Sequence, residues 1–357
     1  MQKRCLLCCP LLALILSACG TIYNIYNKDN DETVDPAEYI SLIKSNSFDT
    51  GFNLIKNRVV TDPVLDITKL DYNGEANGAE SEWILSHWFR AEEFEMSQST
   101  FTKMGEGHYL YSNESRILEV DSSQKSLRMM LDTGVEYEHL FEHRKNDLYA
   151  TEWSHFLIEN YFDGAGTDTS IKLGKVNSIP ISFDLTINEC TFNGEELTNI
   201  EKEGALGAAQ LFLYFSVVYN PNNLYKHHNN AEHAVWIGMP LFDSRYNVIN
   251  KYVNIDDNHV GASNRLIYSA SNADYLPVSN WNGLEYGRKY SVKYDILPLI
   301  QEAYIYACNL DKDEHPNTSF KGLDYSDFQL GYMNYGYECP GAFKIDTTIS
   351  NFDVRYN

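Results

Sequence analysis

From Glu82 to Asn357, apolar and polar positions alternate in short runs separated by turn residues. Side chains on an extended strand point to opposite faces in turn, so a two-residue period predicts strands. The runs are EWILSHWFR (82–90), HYLYS (108–112), SRILEV (115–120), SLRMML (126–131), VEYEHLF (135–141) and WSHFLIEN (153–160). ISFDLTIN (181–188), QLFLYFSVVYN (210–220), AVWIGMPLF (234–242), RLIYSA (265–270), YSVKYDI (290–296), FQLGYMNYG (328–336) and AFKIDTTISNFDVRY (342–356) follow. Asn113 falls in a hairpin turn between two of them. In the last run, Phe343, Ile345, Thr347 and Ile349 share one face, while Phe352, Val354 and Tyr356 continue with the parity flipped. A one-residue bulge at Ser350-Asn351 keeps both sets inward. LPLIQEAYIY (297–306) predicts a short helix opened by Pro298. Many strands, few helices and no repeat of fixed period predict a mainly β chain, an antiparallel β-sandwich of jelly-roll type over 82–357.

The residues before Glu82 follow other rules. Lys3 and Arg4 precede an apolar run, Cys5 to Leu16, broken only by Pro10. A membrane-spanning helix needs about 20 residues, so this run fits the core of a secretory signal instead. Leu16-Ser17-Ala18-Cys19 resembles a bacterial lipobox. That resemblance implies cleavage before Cys19, a diacylglycerol on its sulfur and a further acyl chain on the new N-terminus. Several acyl chains, at about 0.8 kcal/mol per buried methylene, anchor a protein stably. The expected organisation is a lipoprotein signal peptide at 1–18, a polar aperiodic tether at 19–35, and an N-terminal extension at 36–81 ahead of the sandwich. The extension opens with a short helix capped by Asp35, with Pro36 at its first position and Tyr39, Leu42 and Ile43 on its inner stripe. The address is the bacterial cell envelope, outside the cytoplasm, with the lipid as membrane partner.

Charge narrows the partners. The formal net charge is -22, and loss of Lys3 and Arg4 with the leader makes it -24. Nucleic acid and anionic lipid both call for clustered Lys or Arg, so neither is an expected partner. Of seven cysteines, three leave with the leader and Cys19 is lipidated. Cys190, Cys308 and Cys339 remain, which allows one disulfide at most, so the fold rests on a core. Tyrosine is abundant, with 26 copies, which suits half-buried sheet faces and surfaces that stack on flat ligands.

The candidate chemistry lies on the strand faces that are not aliphatic. Trp153, His155, Leu157 and Glu159 share one side of WSHFLIEN, opposite Phe156 and Ile158. Tyr214, Ser216 and Asn220 oppose Leu211, Leu213, Phe215 and Val217. Trp236 shares a side with Gly238, while plain alternation puts Asp243 and Arg245 on another side at the strand end. Tyr332, Asn334, Gly336 and Glu338 share one face. Sugars present apolar C–H faces and hydroxyl edges, and rings flanked by planar polar groups suit both. Trp153, His155, Glu159, Tyr214, Trp236, Asp243, Arg245, Asn334 and Glu338 are therefore the candidate carbohydrate contacts.

The order G-x-E-Y (134–137), Arg144, W-x-H-x-L-I (153–158), IGMPLFDSR and the closing GYECPGAFKI…ISNF resembles the concanavalin A-like lectin/glucanase superfamily over roughly residues 82–357. The resemblance implies a jelly roll whose curved face binds or cleaves glycans. The E-x-D-x-E signature of the glucanase branch is absent.

Other chemistry competes. His139-Leu140-Phe141-Glu142-His143 matches H-x-x-E-H, but zinc chemistry needs both histidines on one helical face, and here the strand pattern runs through them. His227, His228 and His233 lack a metal spacing, so no metal centre is assigned. Residues 163–168 (DGAGTD) and 254–258 (NIDDN) offer oxygens of the kind Ca2+ takes, though turn chemistry accounts for them equally. No cofactor is otherwise implied. For a polysaccharide lyase, Arg144, His155 and Arg245 are the catalytic candidates. The leading expectation is a lipid-anchored carbohydrate-binding protein. A glycan lyase or hydrolase on the same fold and a structural or adhesive envelope protein are the other readings.

Overall fold

The structure is a computed structural model that describes residues 39–55, 67–77, 81–87, 94–136, 154–162, 171–193, 207–221, 233–256 and 263–357. The leader, the lipobox and the tether lie outside the described residues. In chain order the strands are β1 (Ile40–Ser41), β2 (Phe52–Ile55), β3 (Ile67–Leu70), β4 (Trp83–Ser86), β5 (Thr100–Gly105), β6 (His108–Ser112), β7 (Arg116–Asp121), β8 (Ser126–Asp132) and β9 (Ser154–Tyr161). Next come β10 (Pro180–Phe192), β11 (Gln210–Tyr219), β12 (Ala234–Asp243), β13 (Tyr252–Ile255), β14 (Leu266–Ser269), β15 (Lys289–Asp295), helix α1 (Leu297–Cys308), β16 (Phe328–Cys339) and β17 (Phe343–Tyr356).

They form two sheets, a mainly antiparallel β-sandwich of jelly-roll type. The eight-stranded sheet runs β15-β10-β17-β8-β7-β6-β5, with β1 beside β17. The nine-stranded sheet runs β13-β14-β12-β11-β16-β9-β4-β2-β3. The pairs β12–β14 and β2–β4 are parallel. The chain crosses repeatedly from one sheet to the other, so strands distant in sequence become neighbours, as β9, β16 and β11 do.

The two-residue period sorts the side chains. Leu118, Val120, Leu127, Met129, Ile181, Phe183, Ile345 and Ile349 face inward from the first sheet and are buried. Phe156, Ile158, Leu213, Phe215, Ile237 and Tyr335 meet them from the second in one hydrophobic core. Burying each such side chain gains about 1.5–3 kcal/mol relative to exposure. Polar tips inside are paired: the Tyr337 hydroxyl lies 2.6 Å from the Thr347 hydroxyl and donates to the Met129 carbonyl at 2.6 Å, tying the two sheets together.

The bulge expected in the closing strand is present. Ser182 pairs with Asp353 and Asp184 with Ser350, so β17 carries one extra residue there, and Asn351 takes a left-handed φ of 53°. Ile349, Phe352 and Val354 are all buried as a result. Asn113 forms its hairpin turn, with its side-chain oxygen accepting from the Ser115 and Arg116 amides at 3.0 and 2.7 Å. Helix α1 forms where expected, with Leu297, Leu299, Ile300, Ala303 and Ala307 buried.

Three expectations are corrected. The helix expected from Asp35 starts outside the described residues. Its described part is extended: Ile40 pairs with Tyr356 and Ser41 with Arg355, and the Ser41 hydroxyl donates to Asp353 at 2.6 Å. Residues 133–136, read in part as the strand VEYEHLF, form a helical turn instead. Asp132 starts it by accepting from the Gly134 amide at 3.0 Å, and Glu136 turns inward to meet the buried Arg116. Residues 137–141 lie outside the described residues, as do His139 and His143. Finally, β2, β5 and β13 are strands that the periodicity did not predict, β3 falls in the stretch 61–81 that reads as loop with an early strand, and β2 and β3 extend the nine-stranded sheet with residues from the 36–81 segment.

Candidate functional site

The face of the nine-stranded sheet turned away from the core carries the unusual chemistry. Pairing register aligns its side chains in ranks across the strands. One rank holds Glu159, Asn334, Tyr214, Gly238, Ser269 and Tyr252, from β9, β16, β11, β12, β14 and β13. The next holds Tyr161, Tyr332, Ser216 and Trp236. Four residues along the strands in the other direction, His155, Glu338, Gln210 and Asp243 form a polar rank.

Asp243 joins this face because of a bulge. Leu211 pairs with Phe242 but Phe212 with Pro240, so β12 carries an extra residue there. Simple alternation gave Asp243 the wrong parity, and the bulge brings it beside Gln210, whose amide donates to it at 2.9 Å. Arg245 lies just beyond the strand and grips Asp243 with two hydrogen bonds, Nε to Oδ1 at 2.9 Å and Nη2 to Oδ2 at 2.7 Å. Burial pushes the Asp243 carboxyl up, but the bonds from Arg245 and Gln210 outweigh it and hold it below its ordinary value. The same bond to Asp243 raises the Arg245 guanidinium.

The rings pack as a group. Trp236 stands edge-on to Tyr332 at 5.2 Å and to Tyr214 at 6.3 Å, and Tyr332 stacks with Tyr161 at 5.5 Å. The Trp236 indole N–H donates to the Ser263 hydroxyl at 3.3 Å. The Tyr214 and Tyr252 hydroxyls lie 2.9 Å apart. Burial raises both hydroxyls above their ordinary range, so they remain protonated at neutral pH. Gly238 makes room for Tyr214: a Cβ there would lie 2.8 Å from the tyrosine ring and closer still to the Ser269 hydroxyl. Beneath the rings, Glu159 is buried and accepts from Ser86 at 2.9 Å and from Tyr161 at 3.1 Å.

Glu338 stands out electrostatically. Desolvation, with a smaller contribution from the like charge of Asp256, lifts its carboxyl from 4.5 to about 7. His155 Nε2 lies 3.8 Å from it. The Glu338 side chain keeps 28% of its surface exposed, so a ligand can reach it. The Asp256 carboxylate is fixed by the Ser263 amide at 2.7 Å.

Of the candidates taken from the sequence, the sheet brings His155, Glu159, Tyr214, Trp236, Asp243, Asn334 and Glu338 to one face, with Arg245 at its rim. Trp153 and Arg144 lie outside the described residues. Tyr161, Tyr252 and Asp256 also belong here. Tyr252 was missed because β13 was not recognised, although Tyr252-Val253-Asn254-Ile255 is a short aromatic and β-branched run, and Asp256 entered only as one of the NIDDN oxygens.

Among the described residues no group of three His, Cys, Asp or Glu is placed to hold a metal ion. Of the NIDDN oxygens, those of residues 257–258 lie outside the described residues, as do residues 163–168, His227 and His228. His233 is described and sets its ring edge-on to Tyr219 at 6.1 Å. Cys190, Cys308 and Cys339 are all free thiols, and burial pushes Cys190 up to about 12. No described helix is long and apolar enough to cross a membrane.

No family model matches the chain, and no curated protein does. Solved structures do. A family 12 xyloglucanase from Bacillus licheniformis is 12% identical over 72% of this chain and 97% of its own, with a TM-score of 0.37. A thermostable cellulase derived from the Rhodothermus marinus enzyme is 11% identical over 77% of this chain and 100% of its own, with a TM-score of 0.36. Endoglucanase 3 of Trichoderma harzianum, from glycoside hydrolase family 12, is 11% identical over 78% of this chain and 100% of its own, with a TM-score of 0.33. At such identities and scores, the likeness carries no argument about chemistry, which has to come from the side chains of this chain.

Proposed function

We propose that the outer face of the nine-stranded sheet binds a neutral glycan chain. The observation that carries this reading is the placing of Trp236, Tyr332, Tyr161 and Tyr214 in adjoining ranks with Asn334, Glu159 and Glu338. The partly exposed rings of Trp236, Tyr214 and Tyr161 offer surfaces to sugar C–H faces, backed by the buried Tyr332 and Glu159, and Asn334 and Glu338 address the hydroxyls. The strongly negative chain disfavours a polyanion. Screening the purified domain against an array of neutral glycans tests this, followed by titration of Trp236→Ala and Asn334→Ala. Each variant is expected to bind at least about tenfold more weakly, which is 1.4 kcal/mol. Unchanged affinity in both folded variants refutes the reading.

A second reading, glycan hydrolysis on the same face, is favoured by Glu338. A part-exposed carboxyl raised to about 7 is what a general acid needs near neutrality. Glu338 would protonate the departing glycosidic oxygen while a water molecule adds to the anomeric carbon and gives up its proton to a second carboxyl group, for which Asp256 is the candidate. Reducing-end release that disappears in Glu338→Gln, with binding kept, supports hydrolysis. Binding without release in the wild type leaves a lectin-like protein.

The proposal includes a lipid anchor on Cys19 at the bacterial envelope. Cys19→Ser is expected to move the protein from the membrane to the soluble fraction, and unaltered partition refutes the anchor.

A further inference from the structure

Beyond the end of β12 two loops meet around a cleft of about 150 Å³. The first, from Ser244 to Asn247, supplies Arg245 and Tyr246, and the second supplies Gly283, Leu284 and Tyr286. Large hydrophobic side chains are exposed at few described positions, and three of them gather on these loops: Tyr246 at 56%, Trp281 at 90% and Tyr286 at 56%. A solvent-facing tryptophan gains nothing for the core, and an exposed aromatic patch with a polar rim marks an interaction site.

The loops are built to stay together. A Cβ on Gly283 would lie 2.7 Å from the Asn247 side-chain oxygen, so the two loops approach closely here. Ser279 and Asn282 close a tight turn through paired backbone hydrogen bonds of 2.8 and 3.2 Å, which holds Trp281 at its tip. The Tyr286 hydroxyl donates to the Cys190 carbonyl at 3.4 Å.

The chemistry selects the ligand. Arg245 stacks on Tyr246 at 5.2 Å, yet its charge is cancelled by its two bonds to Asp243. The cleft therefore offers flat rings, an amide and a neutralised ion pair. An anionic ligand would need a cation not already engaged, and an aliphatic peptide would need apolar depth. Neutral sugar rings, with apolar faces and hydroxyl edges, match what is present.

We propose that this cleft and its aromatic rim form a second glycan-contact site. It shares the ligand class of the function proposed above and adjoins that site through the Asp243–Arg245 pair, but its rings, Tyr246, Trp281 and Tyr286, are not those of the cluster around Trp236.

The experiment is affinity electrophoresis of the purified domain in gels containing the neutral polysaccharide that scores highest on the glycan array. Wild type is compared with Trp281→Ala, Tyr286→Ala and Trp236→Ala, and sedimentation velocity follows self-association. Trp281→Ala and Tyr286→Ala are each expected to weaken retention about tenfold or more. Trp281 fluorescence, from so exposed an indole, is expected to shift to shorter wavelength on binding, a change missing from Trp281→Phe. If Trp236→Ala alone weakens retention, the second site is overturned and the sheet face stands. If the Trp281 and Tyr286 variants alone weaken it, the second site stands and the sheet face fails. Wild type retained by no polysaccharide overturns both, and a Trp281 variant that changes only self-association makes the patch a protein contact and overturns the glycan assignment.

Discussion

Glu136→Ala tests how the helical turn after β8 is secured. Arg116 and Glu136 are both fully buried and form an ion pair. Glu136 also accepts from the Ser115 and Ser154 hydroxyls, and Arg116 donates to Glu136 at 3.2 Å and to the Phe94 carbonyl at 3.2 Å. The guanidinium lies 5.7 Å from the Phe156 ring, inside the sandwich. Burial already lowers the Arg116 pKa, so the cation is tolerated only because Glu136 faces it. Removing Glu136 strands a charge in a dry interior, at a cost of about 3–5 kcal/mol. Unfolding entropy is about 2.1 cal/mol/K per residue, or about 0.7 kcal/mol/K for the roughly 320 residues from Ile40 onward. A loss of about 4 kcal/mol then lowers Tm by about 6 °C. Differential scanning calorimetry reads this directly. The double variant Arg116→Met, Glu136→Leu removes both charges and fills similar volume, so it is expected to recover most of the loss. A Tm drop below about 1 °C in Glu136→Ala refutes the reasoning. So does a double variant no more stable than the single one, since shape and not the orphaned cation would then be responsible.

Two further predictions concern the sheet face. The Glu338 carboxyl titrates at about 7 in the folded chain and near 4.5 when unfolded, so the native state holds its proton more tightly. Its contribution to stability is present below about pH 4.5 and is lost as pH rises toward 7, by up to about 3 kcal/mol at 1.36 kcal/mol per unit. Glu338→Gln is expected to flatten the decline in Tm between pH 4.5 and pH 8, and an identical decline in the variant counts against the raised pKa. Gly238→Ala would set a methyl against Ser269 and Tyr214 and is expected to cost about 1–3 kcal/mol. It should also alter the near-ultraviolet circular dichroism of the ring cluster, with partial rescue by Ser269→Ala; a variant matching wild type in Tm and spectrum removes the proposed crowding.

Alternation made most of the sandwich legible. Strands such as β6 and β7 carry clean two-residue periods because one face is core and the other is not. β5 escaped because its side chains are mostly exposed and impose no pattern. β1, β2 and β13 escaped because two to four residues are too few to show a period. The turn at 133–136 was misread because Val135 and Glu136 alternate as a strand would, while the decisive partner, Arg116, is fixed only by tertiary structure. Parity correctly paired Tyr214 with Ser216 and Asn334 with Glu338. It failed at Asp243, where one inserted residue reverses it. Lateral order was not legible at all: nothing local in β9, β11, β12 and β16 announces that they lie side by side, because non-local pairing is decided by the whole chain.

The position of β17 has a consequence for biogenesis. This strand lies between β10 and β8 and also receives β1, yet it is the last of the seventeen to leave the ribosome. Without it, β10 is paired only with β15 and β8 only with β7, so the eight-stranded sheet falls into two pieces. During synthesis the strands of the nine-stranded sheet are all made before β17, while the two pieces of the other sheet each present an unpaired β-edge, a template for wrong pairing, until β17 joins them.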